Sequence, residues 1–401
     1  MNSTTKNKHG LASQSPGKQN PAKREFGKTW IEVSKSALLH NVKVFRKSIG
    51  KNVKIAAVVK ANAYGHGLEE TISLLKDKVD LFAVDSIKEA LMVHKIDGSR
   101  PVLVLGYITL SDLSVSIENG ISFVVYNIDT LKKIVLLNLK TPAKIHLKIE
   151  TGLNRQGIKK DELSKFLQFI KTHKKSFILE GVSTHFANIE DTLDPAFAKK
   201  QLGEFKEAVK IIKNNGFSPA MIHCAASAGV LLYPETHFSM VRVGFGIYGW
   251  WMSIETRVSI LAQKRNLVLK PVLTWKSMVA QIKNLSVGES VSYGQTWFAT
   301  RKTKIAVIPV GYSDGYDRRL SNIGRVIING HYAMVVGRVA MNMIMADVTD
   351  IKDVKLEDEV ALLGNMDGLK ISADEIAKKI GTINYEVVAR ISPFIPRTIV
   401  K

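Results

Sequence analysis

The feature that most constrains the fold is a series of eight short apolar runs, most of them separated by helical patterns. The runs are IAAVVK (55–60), LFAVDS (81–86), VLVLG (102–106), SFVVY (122–126), IHLKIE (145–150), LEGVSTHF (179–186), MIHCAA (221–226) and VRVGFGIYG (241–249). Amphipathic stretches such as SIKEALMVHKI and KFLQFIKTHKK lie between them. This alternation predicts a parallel sheet, and eight such units close a (β/α)₈ barrel. An open, doubly wound sheet is the rival topology, and the count of eight favours the barrel.

The pattern changes near residue 265, which indicates a second domain. From residue 267 onward, alternating strand patterns replace helical spacing: LTWKSMVAQI, TKIAVIPV, GRVIING, YAMVVGRV and DEVALLG. One short helix is predicted in SADEIAKKIG, with Gly381 at its end. We therefore predict a basic, disordered tail over residues 1–28, the barrel over 29–265, and a mostly β domain over 266–401.

Composition excludes several classes of protein. The chain has 401 residues, a formal net charge of +21 and a single cysteine, Cys224. One cysteine rules out an intrachain disulfide framework or a thiolate metal cluster, so we expect no metal site and a reducing, cytoplasmic location. No apolar run is long enough to cross a membrane, and the acid-poor tail lacks the apolar core of a secretory signal. The charge alone suggests a nucleic-acid binder, but no nucleic-acid-binding motif accompanies it.

Lys60 is the first candidate for chemistry. It ends the apolar run 55–59 and is followed at once by the small residues, tyrosine and glycines of ANAYGHG. A lysine at the mouth of a buried strand lies beside a low-dielectric core, which favours the neutral, nucleophilic amine. A solvated lysine at a strand end is the structural alternative. The position therefore suits imine chemistry.

The ends of the seventh and eighth runs predict a phosphate site. In barrels of this kind, the loops after these two strands commonly bind phosphate at the C-terminal face. Here Ser227 offers a hydroxyl, while Gly244 and Gly246 let the backbone approach an anion closely. A phosphate site together with an imine-forming lysine indicates pyridoxal 5′-phosphate as the cofactor.

Residues 29–401 resemble the alanine racemase family, the fold-type III pyridoxal phosphate enzymes. AVVKANAYGHG is similar to the family's cofactor-lysine signature. The other matching segments are TWIEVSKSALLHNV, TGLNRQGI, STHFAN, VRVGFGIYG, SVSYGQTW, PVGYSDGYDRRL, GRVAMNM and INYEVVARISPFIPR, in the family's order. The resemblance implies an isomerase that interconverts L- and D-alanine, supplies D-alanine for peptidoglycan, and works as a homodimer with shared active sites.

The resemblance implies two bases on opposite sides of the substrate Cα. Lys60 would hold the cofactor as an imine and, once released, transfer one proton. Tyr293, in SVSYG, would be the second base and would come from the partner subunit. Two bases on opposite faces explain how the stereocentre inverts without rotation of the bound substrate.

The resemblance also implies which positions bind the cofactor. Arg242 would face the pyridine nitrogen and leave it unprotonated, because a guanidinium does not give up its proton. Arg155 would contact the cofactor phenolate and the substrate carboxylate, and His185 would lie near the ring. The phosphate-binding positions would be Tyr64, Ser227, the backbone of Gly244 and Phe245, and Tyr385.

The remaining implied positions concern substrate entry and modification. Lys148 matches a lysine that many members carbamylate to orient Arg155, with the unmodified amine as the alternative. Met341 matches the residue whose backbone contacts the substrate carboxylate across the dimer. Asn342 departs from the family's usual Met-Asp, which removes a negative charge at the entryway, whereas the entryway positions Tyr312 and Asp314 match.

Two alternatives remain within pyridoxal phosphate chemistry. A broad-specificity racemase acting on lysine, arginine or serine is suggested only by Asn342. A non-catalytic pyridoxal phosphate carrier would share the barrel but would lack the β domain that holds Tyr293. The presence of that second domain favours the enzyme.

Overall fold

The computed structural model describes residues 27–401, so the tail predicted for residues 1–28 lies outside the described residues except for its last two. Within that range no helix is both long and apolar enough to cross a bilayer. The strands are β1 (Thr29–Ser34), β2 (Lys54–Val58), β3 (Leu81–Val84), β4 (Val102–Val104), β5 (Ser122–Val125), β6 (Ala143–Lys148), β7 (Phe177–Ser183), β8 (Met221–His223), β9 (Met240–Val243), β10 (Leu273–Met278), β11 (Gln281–Leu285), β12 (Thr303–Ile308), β13 (Arg325–Ile328), β14 (His331–Met334), β15 (Ile344–Asp347), β16 (Glu359–Met366), β17 (Leu369–Ile371) and β18 (Arg397–Val400). The α-helices are α1 (Lys35–Ile49), α2 (Lys60–Tyr64), α3 (Leu68–Leu75), α4 (Ile87–Ile96), α5 (Leu113–Glu118), α6 (Ile128–Leu137), α7 (Leu163–Thr172), α8 (Ala196–Asn214), α9 (Ser227–Leu232), α10 (Ile254–Ala262), α11 (Ala373–Ile380) and α12 (Asn384–Ala389).

Eight parallel strands form the predicted barrel. Their order is β8–β7–β6–β5–β4–β3–β2–β9, so each of the eight apolar runs contributes one strand. Backbone hydrogen bonds close the ring between β8 and β9: Ser239 N–H donates to Ile222 O at 3.2 Å, and Arg242 N–H donates to Ala225 O at 3.0 Å. The barrel prediction is confirmed, and the doubly wound alternative is wrong because its sheet would have stayed open.

Each barrel strand buries both of its faces, which explains why the runs read as continuously apolar. Along β2, Ile55 and Ala57 pack outward into the core beneath the helices, whereas Ala56 and Val58 point to the barrel axis. The axial core is small and is formed by Ala56, Val58, Leu81, Ala83, Leu103, Met221 and Met240. The rest of the interior is therefore left for polar side chains.

The second domain is mostly β, as expected. One sheet has the order β14–β13–β16–β10–β1–β18, with β17 paired to β16, and a three-stranded sheet has the order β11–β12–β15. The helix predicted in SADEIAKKIG is α11, which is capped by Ser372 and ends at Gly381 in the left-handed conformation.

Two features of this domain differ from the prediction. The strand β1, which the predicted boundary at residue 29 assigns to the barrel, pairs antiparallel with β10 and parallel with β18. Its pairing partners lie more than 200 residues away in sequence, so the local pattern carried no sign of them. The helix α12 was also missed, and it carries Tyr385.

Candidate active site

A cavity of about 780 Å³ opens at the C-terminal ends of the barrel strands. Ten of the predicted site residues line it: Lys60, Tyr64, Lys148, Arg155, His185, Ser227, Arg242, Gly244, Phe245 and Tyr385. Of the six predicted residues in the second domain, Tyr385 lines the cavity, whereas Tyr293, Tyr312, Asp314, Met341 and Asn342 do not. The structure therefore brings together the predicted cofactor positions and leaves the predicted second base and entryway outside the cavity of the same chain.

Lys60 lies at the mouth of β2, but its amine is less desolvated than expected. The side chain is 39% exposed, and Nζ lies 3.3 Å from Oδ1 of Asp85. The neighbouring strand β3 brings Asp85 to this position, and Gly106 makes room for it, since a Cβ on Gly106 would lie 2.2 Å from the Asp85 carbonyl oxygen. Asp85 was missed as a site residue, although it ends the second apolar run much as Lys60 ends the first.

The chain after Lys60 forms a left-handed helical turn. The four residues from Ala61 to Tyr64 all have φ of 53–54°. For L-residues this conformation costs roughly 1–2 kcal/mol each, so surrounding contacts must hold it. The Ala61 N–H donates to Glu89 Oε1 at 2.7 Å, and Asn62 Oδ1 accepts from the Leu68 N–H at 2.8 Å. Local strain is thus stored beside the candidate nucleophile.

Glu89 joins the loops that follow β2 and β3. One carboxylate oxygen binds the turn after Lys60, and the other accepts the backbone N–H of Asp85 at 2.8 Å. Glu89 also completes the capping box of α4 with Ser86. The S-x-x-E pattern in the sequence predicts only the helix cap, whereas its second contact depends on the neighbouring strand.

Arg242 is buried at the barrel mouth and uses both terminal nitrogens. Nη1 donates to His223 Nδ1 at 2.7 Å and to the His223 carbonyl at 3.1 Å. Nη2 lies 2.9 Å from Thr184 O, 3.1 Å from Cys224 O and 3.3 Å from His185 Nδ1. Burial lowers the pKa of the guanidinium to about 10. Within residues 27–401, Nε makes no hydrogen bond to protein, which leaves one donor for a ligand in the cavity.

The cavity is strongly electropositive. Burial, the larger cause, and the cations Arg242, Arg155, Lys148 and Lys60 together lower the pKa of His185 to about 3. The imidazole is therefore neutral at physiological pH, and because its Nδ1 faces a guanidinium donor, its proton is on Nε2. Four cations converging on one cavity suit a ligand with several negative charges, such as a phosphate ester with a neighbouring carboxylate.

The part of the cavity predicted to bind phosphate has hydroxyl groups around Gly244. Ser227 Oγ accepts the backbone N–H groups of Gly244 and Gly246 at 3.1 and 3.3 Å. A Cβ on Gly244 would lie 2.7 Å from the Tyr64 hydroxyl, so no side chain fits there. Burial and, to a smaller extent, the nearby Asp85 carboxylate together raise the pKa of Tyr64 to about 12, so this hydroxyl remains a hydrogen-bond donor. The hydroxyls of Ser227 and Tyr64 can each donate a hydrogen bond beside this glycine, which suits a phosphate.

Tyr385 reaches the cavity from the second domain. Its ring stacks on Phe245 with a centroid separation of 3.7 Å, and burial raises its pKa. The preceding residue, Asn384, donates to Trp251 O at 3.0 Å and so ties α12 to the barrel. The last helix of the chain therefore completes the wall of the barrel cavity.

Lys148 projects from β6 into the same cavity. Its Nζ donates to Gln156 Oε1 at 2.8 Å, and Gln156 in turn donates to the Tyr126 hydroxyl at 3.0 Å. Burial, the larger cause, together with the nearby cations Arg242 and Arg155 lowers the pKa of Lys148 to about 8. A substantial neutral fraction near physiological pH is what carbamylation requires. Gln156 and Tyr126 were not predicted, because their role depends on contact across two loops.

Apart from Tyr385, the predicted residues of the second domain are exposed or, for Asp314, half-buried. Tyr293 is 72% exposed, Met341 56% and Tyr312 43%. Asn342 Nδ2 donates to Ser313 Oγ at 2.7 Å, and Ser313 Oγ donates to Met341 O at 2.9 Å. The amide therefore supports the backbone of Met341, and a carboxylate, which only accepts, could not donate this bond.

Comparison with known proteins gives the same family for both parts of the chain. The model of the alanine racemase N-terminal domain matches residues 33–250, and that of the C-terminal domain matches residues 272–399. The alanine racemase of Leptospira interrogans is 37% identical over 375 residues, which cover 93% of this chain and 96% of that protein. The alanine racemase of Clostridium perfringens is 38% identical over 373 residues, covering 92% and 94%.

Solved structures agree with the sequence relatives. The alanine racemase of Bacillus anthracis with bound L-Ala-P has a TM-score of 0.88 and 33% identity, and the alignment covers 94% of this chain and 96% of that one. The Clostridium difficile alanine racemase in complex with cycloserine has a TM-score of 0.84 and 32% identity, with 93% and 96% covered.

Because residue 61 has a positive φ, a glycine there should not lower the free energy of unfolding as it does in a right-handed helix. Glycine adopts positive φ without penalty, so Ala61→Gly should leave the free energy of unfolding unchanged or raise it by up to about 1 kcal/mol. The control is Lys210→Gly at an exposed position inside the right-handed helix α8, where glycine should lower it by about 0.5–1 kcal/mol. Denaturant unfolding of the apoprotein measures both, and equal losses would contradict strain at residue 61.

Proposed function

The chain belongs to the alanine racemase family, is thus an isomerase, and on this premise we propose that it interconverts L- and D-alanine with pyridoxal 5′-phosphate in the barrel cavity. The observation that carries the proposal is the convergence of Lys60 with the buried guanidinium of Arg242 and the Ser227 hydroxyl beside Gly244 in one cavity. We further propose that the product D-alanine serves peptidoglycan synthesis.

The residues present fit this cofactor at each of its ends. Lys60 would hold its aldehyde carbon, and Arg242 would offer Nε to the ring nitrogen. The phosphate would take the positions around Ser227, Tyr64, Tyr385 and the Gly244–Phe245 backbone. When bound, pyridoxal phosphate supplies an electrophilic carbon for amines and a ring that spreads negative charge from the substrate Cα.

Two bases would act on the substrate Cα from opposite sides. The Lys60 amine, once free, would take or return a proton at one side, with Asp85 at 3.3 Å as the nearest carboxylate to its ammonium form. Tyr293 of a second copy of this chain would act on the other side. Its 72% exposure and its place outside the chain's own cavity support a role across an interface of a homodimer.

Arg242 would limit the chemistry to proton transfer. Its guanidinium keeps its proton, so the ring nitrogen that it faces would stay unprotonated and would accept a hydrogen bond instead. An unprotonated ring withdraws less charge from Cα and so disfavours reactions that need a long-lived carbanion. The five acceptors around Nη1 and Nη2 fix the plane of the guanidinium for this role.

The substrate carboxylate would lie between the barrel of one chain and the second domain of its partner. Arg155 would approach it from the barrel, and the backbone of Met341 from the partner subunit. Tyr312, Asp314 and Asn342 would border the entry path. The bond from Asn342 to Ser313 and on to Met341 O supports a fixed backbone at this point.

The direct test is racemisation by the purified protein. We expect L-alanine to yield D-alanine, followed by chiral chromatography, with activity lost when the cofactor is removed and restored by added pyridoxal phosphate. Serine, lysine and arginine serve as competing substrates, because a broad-specificity racemase is the alternative. A higher kcat/KM for a cationic amino acid than for alanine would overturn the choice of substrate.

Shared sites predict complementation between inactive variants. Lys60→Ala and Tyr293→Phe should each lose nearly all racemisation of L-alanine. Mixed dimers pair an intact Lys60 with an intact Tyr293 in one of their two sites, so refolding equal amounts together should restore about one quarter of wild-type activity. If both bases came from one chain, no mixed dimer would have an intact site, and the mixture would stay inactive.

The lowered pKa of Lys148 predicts a pH-dependent carbamate. The neutral amine reacts with CO₂, so the carbamate should increase as pH rises through about 8, the pKa of this lysine in the fold, and disappear as the amine becomes protonated at lower pH. Carbon-13 NMR with labelled bicarbonate, from roughly pH 6 to 9, measures it. The signal should vanish in Lys148→Arg and persist in the control Lys144→Arg on the same strand. No signal at any pH would mean that the amine stays unmodified.

A further inference from the structure

A chain of hydrogen bonds runs through the barrel interior from Arg242 to Glu180. His223 Nε2 lies 2.8 Å from His146 Nδ1, and His146 Nε2 lies 3.2 Å from Glu180 Oε2. Ser122 donates to the same carboxylate oxygen at 2.5 Å. The two histidines are fully buried, whereas the Glu180 side chain is 21% exposed. The chain thus connects the candidate cofactor site to a carboxylate near solvent.

Only one direction of donation is chemically consistent. A guanidinium has no acceptor, so His223 Nδ1 must accept from Arg242 and its proton must be on Nε2. His223 Nε2–H then donates to His146 Nδ1, which forces the His146 proton onto Nε2. That N–H donates to Glu180, whose ionised carboxylate only accepts. A proton on His223 Nδ1 would face the guanidinium 2.7 Å away, so both imidazoles are neutral Nε2–H tautomers.

Two features of the backbone place Glu180 and His146 in contact. The pairing of β6 with β7 shifts register, because Ile145 pairs with Leu179 but His146 pairs with Gly181. Glu180 is therefore the extra residue of a β-bulge, which can turn a side chain out of the regular alternation. At Gly181 a Cβ would lie 2.2 Å from His146 Nδ1, so only glycine leaves room for the imidazole.

Arg242 needs this carboxylate because no anion contacts it directly. Among residues 27–401, its partners are three carbonyl oxygens and two imidazole nitrogens, all of them neutral. A buried cation without a counter-charge is costly, and hydrogen bonds in a low-dielectric interior polarise one another along a chain. Glu180 is the carboxylate at the end of the only such chain that leaves Arg242 through its side-chain partners in the described residues.

We propose that Glu180, acting through His146 and His223, is the distal counter-charge of Arg242 and tunes the electrostatic potential at the cofactor ring. The inference rests on the proposed function, because it assumes pyridoxal phosphate beside Arg242. Glu180 and His146 are positioning residues that touch neither substrate nor cofactor. Lys144 is the other charged group near Glu180, and Lys60, Lys148 and Arg155 are the other cations near the cavity.

The test is Glu180→Gln, which removes the charge and keeps an acceptor for His146 and Ser122. With the anion gone, the potential at the cofactor becomes more positive and its bound protons become more acidic. We expect the pH midpoint of the visible absorbance of bound pyridoxal phosphate to fall by roughly one pH unit or less. The ¹⁵N NMR shift of the labelled ring nitrogen should also move, with kcat reduced severalfold and KM nearly unchanged.

Two further variants separate this role from packing. Glu118→Gln removes an exposed carboxylate just before β5, at the same end of the barrel, and should change neither readout. His146→Phe keeps the Glu180 charge but interrupts the chain, and should shift the midpoint in the same direction if it folds. Glu180→Gln with wild-type midpoint and ¹⁵N shift, or an equal shift in Glu118→Gln, would overturn the inference. A wild-type protein without cofactor absorbance or racemisation would instead overturn the proposed function.

Discussion

The buried guanidinium of Arg242 is the group on which the arrangement of the cavity depends. It lies where β7, β8 and β9 end, and it collects carbonyl oxygens from the first two of these strands. In the closed barrel β8 and β9 are neighbours, so the three strand ends meet at one face. In an open sheet of the same order, β8 and β9 would be the two separated edges. Only neutral acceptors contact this cation directly, and the Glu180 carboxylate that ends their hydrogen-bond chain is two imidazoles away, so no adjacent anion cancels its field at the cavity. The neighbouring cations Lys60, Lys148 and Arg155 add to a positive potential that attracts anions.

Lys60 is positioned by the backbone turn that follows it and not by burial of its side chain. Its side chain is 39% exposed, and what fixes it is the left-handed turn that begins at the next residue. The contacts of Glu89 with both the Ala61 and Asp85 backbones hold this turn against the preceding strand ends. The loops after β2 and β3 therefore behave as one unit, which keeps the amine and the Asp85 carboxylate at a fixed separation.

The sequence predicted the barrel well because parallel strands bury both faces and so leave continuous apolar runs. It also predicted ten of the residues that line the cavity, since a family signature records position directly. What it missed depends on contacts between distant segments: the pairing of β1 with β10 and β18, the second bond of Glu89, and the bulge at Glu180. The alternation of His146 and Lys148 along β6 did carry a signal, because residues two apart share the inward face. Such alternation predicts which face of the strand a side chain lies on, but it does not predict which residue that side chain contacts.

The tyrosines of the cavity give a physical reason for a second base from outside. A phenol that takes a proton must first lose its own, and burial raises the pKa of both Tyr64 and Tyr385. The third, Tyr107, is 52% exposed at the rim after β4, on the same side of the cavity as the Asp85 loop. A cavity so rich in cations would stabilise a phenolate that entered from its open side, where no desolvation by the barrel wall opposes ionisation. In the proposed homodimer, Tyr293 of a second chain would enter from that open side, whereas Tyr64 and Tyr385 are buried in the cavity wall.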